Sequence, residues 1–480
     1  MKKAVFTTGS IPRHIVVMTS ASAVGLITLF SVDLVDMYFL SLLGEEELAA
    51  AIGFSGTLLF FLTAVGIGLQ IAMGALVARA EGSHDRDRAG AYCTNIMVFS
   101  GLIAVLITVP AYRFLADLLQ LLGASGKTLE LAVSYTRILL PGTPLLAIGM
   151  GAAAALRAVG DAKRSMYCTL GAALANALLD PVFIFGFGWG IEGAAVASLC
   201  ARITLCAIAL YGLFRVHRLP ARFSAGAMLR DLPSVVVIAG PALLTNLATP
   251  IGSGYVLKTM AQFGDSAVAG AAIIGRIVPV AFAAVFAISS AVGPIIGQNA
   301  GAAQFPRVRE ALRSALVFNV AYALSVWLIL FLLSDWIIAA FDARDEAAQL
   351  IAVYTQWLVG AFMFVGMMFI ANATFNNLHR AYLATFFNFS RMLLGTVPMV
   401  YLLSQWGPAG VLAGELAGAL LWGSAAYLVA SRLIARLERE YQLSRKPVVE
   451  DEVHDDSVKW PFSSLQTQLS QRCAVPEGLD

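Results

Sequence analysis

The sequence has little charge. Asp, Glu, Lys and Arg make up 13% of its 480 residues, against 59% hydrophobic residues; a soluble domain carries about 25% charged residues. So few charges cannot cover the surface of a water-soluble chain of this length. That excludes an ordinary cytosolic enzyme and a secreted domain. Short alternating apolar stretches are also missing, which excludes an outer-membrane barrel. Cysteine is scarce, and Cys93, Cys168, Cys200, Cys206 and Cys473 form no CxxC pair, so neither a disulfide framework nor a thiolate metal site is expected. The five histidines (His14, His84, His217, His379, His454) fall between the apolar runs or in the tails, which removes a histidine-lined metal site within a membrane. No P-loop, HExxH or GxSxG occurs. An enzyme, a resident cofactor and ATP hydrolysis by the chain are therefore not expected, and coupling to an ion gradient is.

What is present is apolar sequence in long runs. The expected fold is an all-α polytopic membrane protein with twelve transmembrane helices, near 15–42, 49–80, 89–112, 128–157, 164–187, 190–214, 233–259, 265–297, 310–334, 346–378, 382–404 and 408–431. The 42 glycines suit close-packed membrane helices. The first run follows Lys2 and Lys3 but is too long for a signal-peptide core, so it reads as a retained helix. Arg79, Arg86, Arg88, Arg157, Lys163, Arg164, Arg215, Arg218, Arg307, Arg309, Arg313 and Arg380 crowd alternate loops, while the other loops hold little beyond Arg113, Lys127, Lys258 and Arg344. By the positive-inside rule both termini are cytoplasmic and the chain sits in the cell's inner (plasma) membrane.

The two halves resemble one another. Leu43-Gly44 through Gly74 matches Phe263-Gly264 through Pro294, and Asp180-Pro181, Trp189-Gly190 and Gly193 match Val397-Pro398, Trp406-Gly407 and Gly410. The expected organisation is a six-helix lobe over 1–214, an inter-lobe loop over 215–232, a second lobe over 233–436 and a polar tail over 437–480. Six helices per half give both lobes the same orientation, related by a pseudo-twofold axis along the membrane normal.

Charges inside the runs need a reason, since a carboxylate at a helix centre costs about 2.5–3.5 kcal/mol. Asp33 and Asp36 lie i,i+3 in the first run, and Asn176 and Asp180 lie i,i+4 in the fifth. Asp36, Asn176 and Asp180, with Ser198 of the sixth, can converge as an oxygen-rich cluster. Two carboxylates in a dry site hold a proton between them or, with further oxygens, a hard cation such as Na+ at Asp36, Asn176 and Asp180. The plainer alternative is that these groups cap kinks or bond backbone. The second half has Tyr255 or Val256, Leu393 and Val397 at the matching places. A purely structural role would be needed in both halves, so the asymmetry favours an ion site in the first. Asp33, Tyr135 and Glu415 are further candidates for an ion or substrate cavity, the last two against interfacial anchoring and polar packing. Arg137, Arg202, Arg276 and Arg391 read as snorkelling or helix-end pairing.

VDMYFLSLLGEEELAAA, NALLDPVFIFGFGWGIEGAA, GPIIGQNAGA and RAVGDAKRSM together resemble the multidrug and toxic compound extrusion (MATE) family over about 13–435. The Asn-Asp pair is similar to that family's DNA-damage-inducible branch. The resemblance implies two six-helix lobes around a V-shaped cleft and export of amphipathic, often cationic, small molecules in exchange for H+ or Na+. It assigns the ion to Asp36, Asn176, Asp180 and Ser198, and a functional role to Tyr135. The expected partners are those small molecules and the lipid bilayer, with no nucleic acid, and the chain is expected to be a monomer. Two departures stand out: the first run lacks the family's proline over Thr19–Ala23, and Ser165 lies where a proline is usual. Asn246 and an uncharged tenth run argue against the branch with acids in the seventh and tenth. A flippase of a lipid-linked saccharide on the same scaffold is the alternative, expected to need a more basic cleft.

Overall fold

The computed structural model describes residues 4–41 and 46–445; Leu43-Gly44 and the tail from Lys446, with His454 and Cys473, lie outside the described residues. Twelve helices are long and apolar enough to cross a membrane, and among the described residues the protein is helical throughout its ordered elements. The spans are Ile11–Ser41, Glu46–Gly82, Arg86–Arg113, Gly126–Leu139 with Thr143–Ala158, Ala162–Pro181, Gly190–Tyr211, Ala225–Met260, Asp265–Ala281 with Ala283–Gly301, Phe305–Leu332, Asp345–Val353 with Phe362–Asn377, Ala381–Ser390 with Val397–Leu403, and Pro408–Arg445. Residues up to Glu438 form one compact unit, and Arg439 onward a second.

Four of the runs read as continuous are interrupted. Pro141 breaks the fourth span at Leu140–Gly142, the eighth breaks at Phe282 just after Pro279, and the tenth and eleventh pass through π-helical turns at Tyr354–Leu358 and Arg391–Thr396. Proline removes a backbone donor and clashes with the preceding turn, which explains the first two. The inter-lobe loop is shorter than expected: a π-helical turn continues the sixth span to His217, and Ser224 caps a seventh span starting at Ala225. The last helix likewise continues past 436, to Arg445. The first helix is unbroken from Ile11 to Ser41, whereas the seventh contains Pro233, Pro241 and Pro250.

The internal repeat is visible in the backbone. The second, fourth, eighth and tenth spans all end in the same left-handed cap, at His84 (φ 62°), Gly160 (φ 89°), Ala303 (φ 55°) and His379 (φ 58°). In each, the next amide donates back across the last turn: Asp85 to Ala80, Asp161 to Leu156, Gln304 to Asn299 and Arg380 to Phe375, at 2.8–3.0 Å. Asp85 and Asp161 then cap the following helices through Arg88 N and Arg164 N. The packing also exchanges between halves: the first span lies on the eighth and the seventh on the second, with the second and eighth against each other.

That central crossing depends on small residues. A Cβ on Gly82 would lie 2.0 Å from the Gln298 carbonyl oxygen, and one on Gly301 would lie 2.1 Å from that of Arg79. Gln298 is fully buried, accepts from Phe6 N at 2.8 Å and donates to the Ala158 carbonyl at 2.7 Å. Asn299 and Arg307 also donate to the Phe6 carbonyl. The Gln-Asn of GPIIGQNAGA therefore ties the N-terminal turn (Val5–Thr7) and the end of the fourth span to the eighth.

Two outcomes follow at this face. Gly301→Val should destabilise the protein by about 1–3 kcal/mol through overpacking, read as a lowered thermal midpoint in detergent. His379 is pushed down to about 4 by burial and by the nearby Arg79 and Arg380 charges. Between that value and the ordinary 6.5 the unfolded chain binds a proton that the native chain does not. Stability should therefore fall as pH drops through this window, and His379→Asn, which tolerates the left-handed turn, should flatten the fall.

Candidate functional site

The first and fifth spans pack along one another. Asn176 and Asp180, one helical turn apart, face the first span near Asp36. Asp180 is fully buried and Asn176 is 7% exposed. The Asn176 amide donates to both Asp36 carboxylate oxygens at 3.1 and 3.0 Å and to Asp180 Oδ2 at 2.6 Å. One amide thus bridges two carboxyl groups. Asp180 Oδ1 is buried with no hydrogen-bond partner, and among the described residues no cationic side chain pairs with either carboxyl.

Local sequence explains the placement. Pro181 follows Asp180 and ends the regular helix, and Val182–Gly186 winds as a π-helical turn. Gly193 lets the sixth span sit directly on that turn, since a Cβ there would lie 2.6 Å from the Phe183 carbonyl carbon. Ser198 follows on the sixth span, close to Tyr135 of the fourth. Tyr135 in turn feels the charges of Asp36, Asp180 and Arg202. Arg202 donates to the Leu139 carbonyl at the fourth-span break, the helix-end pairing expected of it.

The structure therefore brings Asp36, Asn176 and Asp180 into direct contact, with Tyr135 within electrostatic reach of both carboxyls and Ser198 close to Tyr135. Asp33 lies on the first helix, and its side chain is outside the described residues. Glu415 is elsewhere, in a pocket of the second half. Among the described residues no group of three or more His, Cys, Asp or Glu is placed to hold a metal. Two acidic groups that lack a protein cation carry a strong electrostatic demand for a proton or a small oxygen-seeking cation.

A larger cavity of about 280 Å³ was not foreseen from sequence. Its wall includes Gln70 and Arg157 from the first half and Asn246, Asn372, Asn376 and Asn388 from the second. Arg157 donates to Ser165 at 2.7 Å, and the wall holds no carboxylate among the described residues. The buried amide oxygens of Gln70, Asn376 and Asn377, all on this wall, have no hydrogen-bond partner. The readable signal was Asn372 and Asn376, one turn apart on one face of an otherwise apolar span.

Comparison with known proteins places this architecture. An FAD transporter of Shewanella oneidensis is 29% identical over 431 residues, 88% of this chain and 95% of that protein. Multidrug export protein MepA of Staphylococcus aureus is 25% identical over 71% of this chain and 78% of its own length. The solved MATE transporter VcmN of Vibrio cholerae superposes with a TM-score of 0.85 at 26% identity, covering 90% of this chain and 98% of that one. The family model described as MatE matches twice, at residues 21–182 and 241–402, once in each half of the internal repeat. The chain belongs to the MatE family, multi-pass membrane transporters of small molecules that are ion-coupled, need no cofactor and are not enzymes.

Proposed function

We propose that the chain is a secondary antiporter of the inner membrane, acting as a monomer with both termini cytoplasmic. In this reading 1–214 and 233–436 act as two lobes that alternate access to the cavity between them. H+ or Na+ enters at Asp36, Asn176 and Asp180, with Tyr135 and Ser198 beside it, as in the DNA-damage-inducible branch. The observation that carries the reading is the carboxyl pair bridged by one amide and lacking a protein cation. An ion that neutralises this pair removes a repulsion that otherwise holds the first and fifth spans apart. It thereby favours one packing of the first lobe over another.

The transported molecule is amphipathic. The relatives' names span an FAD transporter and multidrug export. The carboxylate-free cavity wall favours neutral or anionic polar compounds over simple cations, because nothing in it would pair with a positive charge.

The test is efflux from proteoliposomes under separately imposed Na+ and pH gradients, following riboflavin and a cationic dye. One gradient should drive export. Asp36→Asn and Asp180→Asn should each lower gradient-driven export at least about tenfold at equal protein level. Export surviving both substitutions, or indifferent to both gradients, rules the reading out.

A further inference from the structure

We propose that the pocket between Arg391 and Glu415, in the second half, is a docking subsite for a neutral heterocycle whose edge offers an acceptor and a donor side by side, as a cyclic imide or lactam does. The proposal rests on the transport reading above and gives its substrate a chemical class.

The pocket, about 40 Å³, is lined by Thr249, Ser253, Asn388, Arg391, Thr396 and Glu415. Thr249 and Asn388 also belong to the wall of the larger cavity, so the pocket adjoins it. Its construction is specific. Arg391 opens a π-helical turn, Arg391–Thr396, in the eleventh span, a distortion that often re-aims side chains at functional sites. The twelfth span closes against this turn through glycine: a Cβ on Gly418 would lie 2.7 Å from Thr396 N, and one on Gly414 would lie 2.6 Å from Val400 N. That contact carries Glu415 to the pocket wall.

Arg391 and Glu415 interact electrostatically across the pocket. Among the described residues they make no ion pair with each other, and neither side chain has a hydrogen-bond partner. A guanidinium only donates and a carboxylate only accepts. A cation between them satisfies Glu415 and repels Arg391; an anion does the reverse. A neutral edge with C=O beside N–H satisfies both. The larger cavity extends the match, since the Gln70, Asn376 and Asn377 oxygens accept further donors and Phe369 offers an aromatic face.

The repeat shows that the pocket is not a copy of the first-half site. Its register carries Ser198 onto Glu415 and Leu174 onto Arg391. Tyr354, whose ring lies within electrostatic reach of Glu415, stands where the fourth span has Tyr135. The place that holds Arg391 and Glu415 in the second half thus holds Leu174 and Ser198, with no charge, in the first.

The experiment uses the full chain in lipid nanodiscs and equilibrium dialysis with riboflavin, which carries an imide edge, and N3-methylriboflavin, which lacks its donor. The wild-type protein should bind riboflavin about tenfold more tightly than the N3-methyl compound. Arg391→Ala and Glu415→Ala should each weaken riboflavin about tenfold. Glu415→Ala should leave the N3-methyl compound unchanged, and Glu415→Gln, which keeps an acceptor and the side-chain volume, should retain most of the affinity. Thermal midpoints confirm that folded variants are compared. No riboflavin binding, equal binding of the two flavins by the wild-type protein, or equal weakening of both by Glu415→Ala overturns the subsite. Asp36→Asn with Asp180→Asn should still bind riboflavin, so a failure of ion coupling appears in efflux while a failure of the subsite appears in dialysis.

Discussion

The arrangement depends on how closely the second and eighth spans approach at the basic-loop face. No water reaches a helix crossing inside a bilayer, so contact there comes from packing and from polar groups that satisfy each other. Gly82 and Gly301 remove the side chains that would keep the backbones apart. Gln298 then spends both ends of its amide on backbone from two other segments, Phe6 and Ala158. The crossing joins the halves at one end while the cavity lies between them, lined from both. Any exchange of access must break and remake this contact. Its small residues and short polar links suit an interface with two discrete packings better than an interlocked apolar core would.

Much of this was legible in the sequence because a membrane makes charge expensive. Asp36, Asn176 and Asp180 stood out as polar residues in apolar runs, and their i,i+4 spacing already put two of them on one face. The repeat was legible for the same reason, since glycines and prolines recur where helices must end or touch. Ser198 was harder: its spacing could not show that it lies close to Tyr135. The shortened inter-lobe loop was hidden because Arg215, Arg218, Pro220 and Arg222 look like loop chemistry, although helix resumes at a Ser224 cap.

The amide-lined cavity and the Arg391–Glu415 pocket were less legible for a physical reason. Asparagine in a transmembrane helix reads equally well as packing glue, and a lone arginine in a span reads as snorkelling. What separates these readings is backbone geometry, above all the π-helical turn that begins at Arg391 and has no clear mark in composition. Leu393 and Val397, in and just after that turn, occupy the places of Asn176 and Asp180. The comparison that singled out the carboxyl pair therefore drew attention away from Arg391, two residues earlier.

The division of chemistry between the halves gives a physical basis for exchange. The amide-bridged carboxyl pair, Asp36 and Asp180, belongs to the first half, and the Arg391–Glu415 pair and most of the cavity amides belong to the second. Ion and substrate then need not compete for one group. They couple only through the packing both sites share, with the first span on the fifth and eighth and the second on the eighth. A neutral substrate leaves the electrostatics of the carboxyl pair untouched, so its influence on the ion must travel through helix position and not through charge. By reciprocity the ion's influence on the substrate takes the same route. A cation held directly by Asp36 or Asp180 would instead displace the ion at its own site. The carboxylate-free wall of the cavity argues for coupling through packing.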